Sequence, residues 1–146
     1  ILLSNGPGDP KACNQSITIL KAALENNIPI FGICLGSQLL GLAAGADTYK
    51  LKFGHRGQNQ PVQDTQSLRC YLSSQNHGYA LCHNSLPDDW QITFTHLHDN
   101  SIAGIKHKSK PYSAVQFHPE AAAGPHDTAF LFNDFIQQVI TGASQK

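Results

Sequence analysis

Charge is scarce in this chain, and methionine is missing altogether. Charged residues make up 14% of the 146, against roughly 25% in ordinary soluble domains, and ten basic groups balance ten acidic ones. Zero net charge leaves no electrostatic footprint for nucleic acid or for an anionic membrane surface. Long apolar runs are lacking too, so neither a membrane span nor a signal peptide can be placed. The four cysteines, Cys13, Cys34, Cys70 and Cys82, form no Cys-x-x-Cys pair and have no zinc-like spacing. Reduced thiols in a cytoplasmic protein fit that pattern better than a disulfide framework.

What is present is a chain that is 40% hydrophobic, enough for one domain over residues 1–146 with a core of its own. It starts at Ile1 inside an apolar, strand-like run, which reads as a domain lacking its N-terminal part. Ile1-Leu2-Leu3-Ser4 predicts a short buried strand, followed by the turn-rich Asn5-Gly6-Pro7-Gly8-Asp9-Pro10. Asn14 suits the cap of a helix whose apolar residues Ile17, Leu20, Ala23 and Leu24 recur at helical spacing up to Asn26-Asn27. Ile28 to Ile33 predicts a second strand, and Leu35 to Ala44 a second helix with Gly45 as C-cap.

Strand, helix, strand, helix implies an α/β fold with an open, mostly parallel sheet flanked by helices. From Thr48 onward the pattern breaks into short alternating runs: Thr48–Lys52, Arg69–Ser74, Tyr79–Cys82, Gln91–Leu97 and Ile102–His107. These predict an antiparallel or mixed extension of the sheet. Pro111 to Phe117 predicts a further strand, and about His126 to Thr141 a last helix, bounded by Pro125 and Gly142.

Cys34 falls at the strand-to-helix turn Gly32-Ile33-Cys34-Leu35-Gly36, a place that exposes a nucleophile. The helix N-terminus behind it favours negative charge, so Cys34 is expected to be an activated thiolate that labels faster than Cys13, Cys70 or Cys82. His118-Pro119-Glu120 follows a strand, and proline holds the residue before it extended, so His118 and Glu120 point the same way and can hydrogen-bond. Ligands of open α/β sheets bind beyond the C-terminal ends of strands, where Cys34, His118 and the Asn5–Pro10 loop all lie. Cys34 as nucleophile, His118 as proton relay and Glu120 as its orienter meet the logic of thiol acyl transfer, with Leu35 and Gly6–Gly8 amides at the oxyanion.

Together with Phe53-Gly54-His55-Arg56-Gly57-Gln58-Asn59, Gln75-Asn76-His77-Gly78-Tyr79-Ala80, Ala123-Gly124-Pro125-His126-Asp127 and Gln116-Phe117-His118-Pro119-Glu120, these stretches resemble the class I glutamine amidotransferases. More narrowly, they resemble the glutamine-hydrolysing small subunits of carbamoyl-phosphate synthases. The resemblance implies a flavodoxin-like fold and a γ-glutamyl thioester on Cys34, with His118 and Glu120 completing a triad. It also implies that L-glutamine is held by Gly6, Gly8, Leu35, Gln38, Asn76, Gly78 and Tyr79. Ammonia would pass to a large synthetase subunit that uses ATP, magnesium and bicarbonate, so no cofactor and no metal is expected in this chain. The family's separate N-terminal domain and early strands have no counterpart here.

Three other readings stay open on the residues alone. The acceptor can be that of another class I synthetase, or water in a stand-alone γ-glutamyl hydrolase. A regulatory remnant without activity is the second, disfavoured because Cys34, His118 and Glu120 are all present. A metal site built on His96 and His98 is the third, set against the ordinary reading of both as solvated strand histidines. Arg56 reads as part of a loop that packs or meets a partner, Asn76-His77-Gly78 also fits a hairpin turn, and His77 has no assigned role.

Overall fold

An alternation of period two in Ile30-Phe31-Gly32-Ile33 decides how the layers stack. Ile30 joins Leu20, Ala23, Leu39, Leu40 and Ala43 on one face, while Phe31 and Ile33 join Val62, Phe94, Val115 and Phe117 on the other. The computed structural model describes residues 1–122 and 124–143. In chain order the elements are β1 (Leu2–Leu3), α1 (Asn14–Glu25), β2 (Ile30–Ile33), α2 (Leu35–Ala44), β3 (Thr48–Asp64), β4 (Cys70–Leu81), β5 (Trp90–His96), β6 (Ile102–His107), β7 (Tyr112–Val115) and α3 (Phe130–Ala143). Among the described residues, seven strands make one sheet in the order β1-β2-β7-β6-β5-β3-β4. Helices α1 and α2 cover the Ile30 face, and α3 covers the other through Leu131, Phe132 and Phe135. Phe31 stacks on Phe135 and meets Phe132 edge-on.

Strands β1, β2 and β7 are parallel, and every other pairing is antiparallel. The fold is thus the expected α/β class with a mixed sheet, but the sheet is mostly antiparallel and not mostly parallel, because the segments after Thr48 pair with one another as antiparallel neighbours with no intervening α-helix until α3. Gly32 and Gly36 let α2 lie directly on the parallel strands. A Cβ on Gly32 would sit 2.6 Å from the Gly36 carbonyl oxygen, and one on Gly36 would sit 2.5 Å from that of Leu3. The chain can therefore turn from β2 into α2 with no side chain wedged between them.

Strands β3 and β4 form a long ribbon, paired from Thr48 with Leu81 to Gln63 with Cys70, with register shifts between Lys50 and His55 and between Gly57 and Gln60. These irregularities bend the ribbon back over the C-terminal ends of β2 and β7. The His118 N–H donates to the Ser74 carbonyl at 2.8 Å, and Gln38 Nε2 donates to that of Tyr79 at 2.8 Å.

Several expectations change here. Phe53–Asn59 and Asn76–Gly78 are strand, not loop and hairpin, and the turn of the ribbon lies at residues 65–67. The first strand is exposed rather than buried, with Leu2 at 56%, because it is an edge. Cys13, not Asn14, stands at the N-cap of α1, and no side chain caps it. Helix α3 begins at Phe130 because the preceding residues make shorter-range turns, Ala129 N–H to His126 and Leu131 N–H to Thr128. It runs through Gly142 to Ala143. Ala123 lies outside the described residues. Among them, no helix is long and apolar enough to cross a membrane.

Candidate active site

Cys34 occupies the junction of β2 and α2 with φ 54° and ψ −106°, a conformation that side-chain-bearing residues seldom adopt. Its N–H is fixed by the Val115 carbonyl at 2.9 Å, and its carbonyl accepts from Ser37 and Gln38 in the first turn of α2. The strain is thus held by the sheet on one side and by the helix on the other. The side chain is 3% exposed and faces a cleft of about 620 Å³.

That cleft is lined by Gly6, Gly8, Cys34, Leu35, Gln38, Asn76, Gly78, Tyr79, His118 and Glu120. Every site residue expected from the sequence therefore reaches one cavity, though the chain brings them from segments far apart. His118 Nδ1 lies 2.8 Å from Glu120 Oε1, so a carboxylate holds the proton on Nδ1 and leaves Nε2 as the basic nitrogen. Gln38 is buried, and its amide nitrogen is committed to the Tyr79 carbonyl and, at 3.1 Å, to Gln116 Oε1. Gln38 therefore fixes the wall of the cleft as well as lining it.

The resting state of the nucleophile differs from expectation. Burial pushes the Cys34 thiol up to about 11, and the negative charge of Glu120 adds to the rise. Hydrogen bonds from the Leu35 N–H and the Gln116 side chain pull the other way without overcoming it. The thiol is aimed at the Asn76 carbonyl, 3.8 Å away, which only a protonated sulfur can use. Desolvation outweighs the helix terminus, and the free site holds a neutral thiol.

Gln116 was not singled out by sequence reasoning as a site residue. Its Nε2 donates to Cys34 Sγ at 3.8 Å. No signal in the sequence marks it: residues 116–120 run through bends and a turn, not the extended chain expected around His118, so an alternation of two does not place Gln116. Arg56, Ser74 and His77 also line the cleft.

Beside the cleft, His55, His96 and Asp99 bring ligand-type atoms within 4.8 Å of one another. His96 is 1% exposed, which corrects its reading as solvated surface; β5 carries it beneath the ribbon. The rings of His55 and His96 lie parallel, 4.0 Å apart at 9°. Imidazole lone pairs lie in the ring plane, so two stacked rings direct theirs along separate planes and do not converge on one ion. His96 Nδ1 also accepts the His98 N–H at 3.2 Å.

This chain is similar to known proteins in sequence and in fold. The family model described as glutamine amidotransferase class-I matches residues 1–138. A carbamoyl phosphate synthase small chain from Methanocaldococcus jannaschii is 54% identical over 137 residues, covering 94% of this chain and 38% of that protein. The multifunctional protein pyr-3 of Neurospora crassa is 53% identical over 140 residues, which are 95% of this chain and 8% of that one. Among solved structures, a candidate GMP synthase component from Thermoplasma acidophilum superimposes with a TM-score of 0.83 at 26% identity, covering 98% of this chain and 73% of that one. The chain thus spans about two fifths of the length of the curated small chains it matches.

Proposed function

Because this chain belongs to the class I glutamine amidotransferase family, we propose that it is the glutamine-hydrolysing part of a carbamoyl-phosphate synthase small subunit. The observation that carries the chemistry is the convergence of Cys34, His118, Glu120 and the expected glutamine contacts on one cleft. Identity near 50% to carbamoyl phosphate synthase small chains over some 95% of this chain supports the choice of acceptor.

Glutamine enters with its γ-carboxamide toward Cys34. Since the thiol is neutral at rest, its proton passes to His118 as sulfur attacks the amide carbon, and the S–C bond forms while the carbonyl π pair moves to oxygen. The Leu35 amide and amides of the Gly6–Gly8 loop, which line the cleft with Cys34, are the donors this reading assigns to that oxyanion. Collapse of the tetrahedral adduct breaks the C–N bond, and His118 returns the proton to the departing nitrogen, leaving ammonia and a γ-glutamyl thioester. Water, deprotonated by His118, then cleaves the thioester to glutamate and restores the thiol. Glu120 keeps the imidazole in the required tautomer throughout.

The ammonia is consumed in a large synthetase subunit, which also holds the ATP, magnesium and bicarbonate chemistry; no cofactor is assigned to this chain. Cys34→Ala tests the division of labour in the intact complex. Glutamine-dependent carbamoyl phosphate synthesis should fall by at least about a thousandfold, while synthesis from supplied ammonia continues. Loss of both activities would refute it.

A further inference from the structure

Gln116, the first residue beyond β7, is 2% exposed, and its neighbours leave its side-chain amide one orientation. The Tyr79 carbonyl oxygen can only accept, so the end of the Gln38 side chain that lies 2.8 Å from it is the NH2. That same nitrogen lies 3.1 Å from the Gln116 amide, where only an oxygen can accept from it. Gln116 therefore turns Oε1 to Gln38, and its own NH2 is left facing Cys34 Sγ at 3.8 Å. Flipping either amide would set two acceptors or two donors against each other, so the run from Tyr79 delivers an N–H donor to the nucleophile.

Sγ thus stands between a donor, the Gln116 NH2, and an acceptor, the Asn76 carbonyl oxygen. A thiol satisfies both, whereas a thiolate keeps only the first. Two steps of the reaction put negative charge on this sulfur. One is its attack on the γ-carboxamide carbon as the proton passes to His118. The other is its departure, when the C–S bond of the water adduct breaks with its electron pair on sulfur and the proton that His118 took from water returns to it. In the free site the Leu35 N–H also bonds the sulfur. In the reaction, however, that N–H is assigned to the oxyanion. Gln116 has no such second task, and Gln38 holds its oxygen in place.

We propose that Gln116 is a catalytic residue: its amide, oriented by Gln38, donates to the Cys34 sulfur while that atom carries charge, both in attack and in departure. This rests on the reading of the cleft as a glutamine site. The titratable groups that share the cleft with the sulfur are His118 and Glu120 after β7, His77 and Tyr79 on β4, and Arg56 on β3. Of these, the charge of Glu120 works against the thiolate, and the Gln116 donor works for it.

Two substitutions separate a donor from a space-filling side chain. Gln116→Met removes the donor and keeps an unbranched chain of similar volume. Gln116→Glu copies the native shape more closely and keeps the oxygen that Gln38 grips, but its other oxygen donates to sulfur only while protonated. Once ionised, it sets an anion against the sulfur. If Gln116 merely filled the space between Gln38 and Cys34, Gln116→Glu would be the milder change at every pH. As a donor, it makes Gln116→Glu increasingly damaging as pH rises.

The test is the rate at which iodoacetamide alkylates Cys34 in intact protein against pH, followed on the Cys34 peptide, with steady-state glutaminase kinetics alongside. Well below the thiol's own titration the rate is proportional to the thiolate fraction. Gln116→Met should label Cys34 about tenfold more slowly than wild type, about the worth of one hydrogen bond to a charged atom. Its kcat should fall by about the same factor, with KM for glutamine changed less than about threefold. For Gln116→Glu, the labelling rate relative to wild type should decline as pH rises and its carboxyl ionises. A wild-type labelling rate and kcat in Gln116→Met, or a ratio for Gln116→Glu that does not fall with rising pH, would overturn the proposal. Gln116→Glu decides the matter alone where Gln116→Met does not fold. If wild type hydrolyses no glutamine, the reading of the cleft fails instead, and the alkylation rates, which need no substrate, still decide whether Gln116 donates to the sulfur.

Discussion

Cys34 shows how far a residue's chemistry departs from what its neighbours in sequence imply. The strand-to-helix position was legible from Gly32, Gly36 and the change of apolar period, and Leu35–Ala44 is helix as expected. The protonation state was not, because it depends on how deeply the fold buries the thiol and on the charge of Glu120, both set by segments distant in sequence. With its thiol raised to about 11, Cys34 is thiolate to only about one part in a thousand at about pH 8. Simple alkylating agents near neutral pH should therefore modify exposed Cys70 before Cys34. That reverses the order the sequence suggested. Peptide mapping after brief iodoacetamide treatment of folded protein checks this, and first labelling at Cys34 would show that the resting thiol is activated after all. Gln116 was missed for a similar reason: a glutamine in an apolar strand has no chemistry until Cys34 and Gln38 are brought to it.

Among the elements, the helices and the parallel strands were readable because each carries its own period. The β3–β4 ribbon was not. Gly54, Gly57, Pro61, Asn76 and Gly78 are turn formers in isolation, so the sequence breaks there into short pieces. In the fold the two register shifts absorb the irregularity, Gly54 takes φ 71°, and pairing continues on either side. The bend is what carries Asn76–Tyr79 over Cys34. The contact of α2 with β1 is as demanding in its own way. Gly36→Ala places a Cβ 2.5 Å from a backbone oxygen of Leu3, which cannot move aside as a side chain can. The substitution should cost about 1–3 kcal/mol and loosen β1 from the sheet. Chemical denaturation gives the first quantity and hydrogen exchange at Phe31, whose N–H bonds to Ile1, gives the second. Wild-type values for both would mean that α2 does not rest on β1.

For the whole molecule, the fold class and the placing of the site at the C-terminal ends of β2 and β7 were written in the order of elements. The buried histidines under the ribbon were not, since their burial depends on which strands pair. Burial lowers both His77 and His96 to about 4, from an ordinary value of 6.5. An unfolded chain takes up these protons near pH 6.5 and the folded one only near pH 4, so protons favour unfolding as pH falls through that window. Stability should drop by on the order of 2–4 kcal/mol between about pH 6.5 and 4, less than two full shifts because the neighbouring charges also titrate. Urea titrations across that range measure it, and a flat response would mean that these rings are already charged or solvated in the folded state. The decisive experiment concerns the chemistry itself. Intact protein mixed with isotopically labelled glutamine, quenched in acid and digested should carry one γ-glutamyl group, on the peptide containing Cys34. The label should disappear in Cys34→Ala. Glutamine left unhydrolysed, or label on any other residue, would contradict the assignment of this cleft as a glutaminase site.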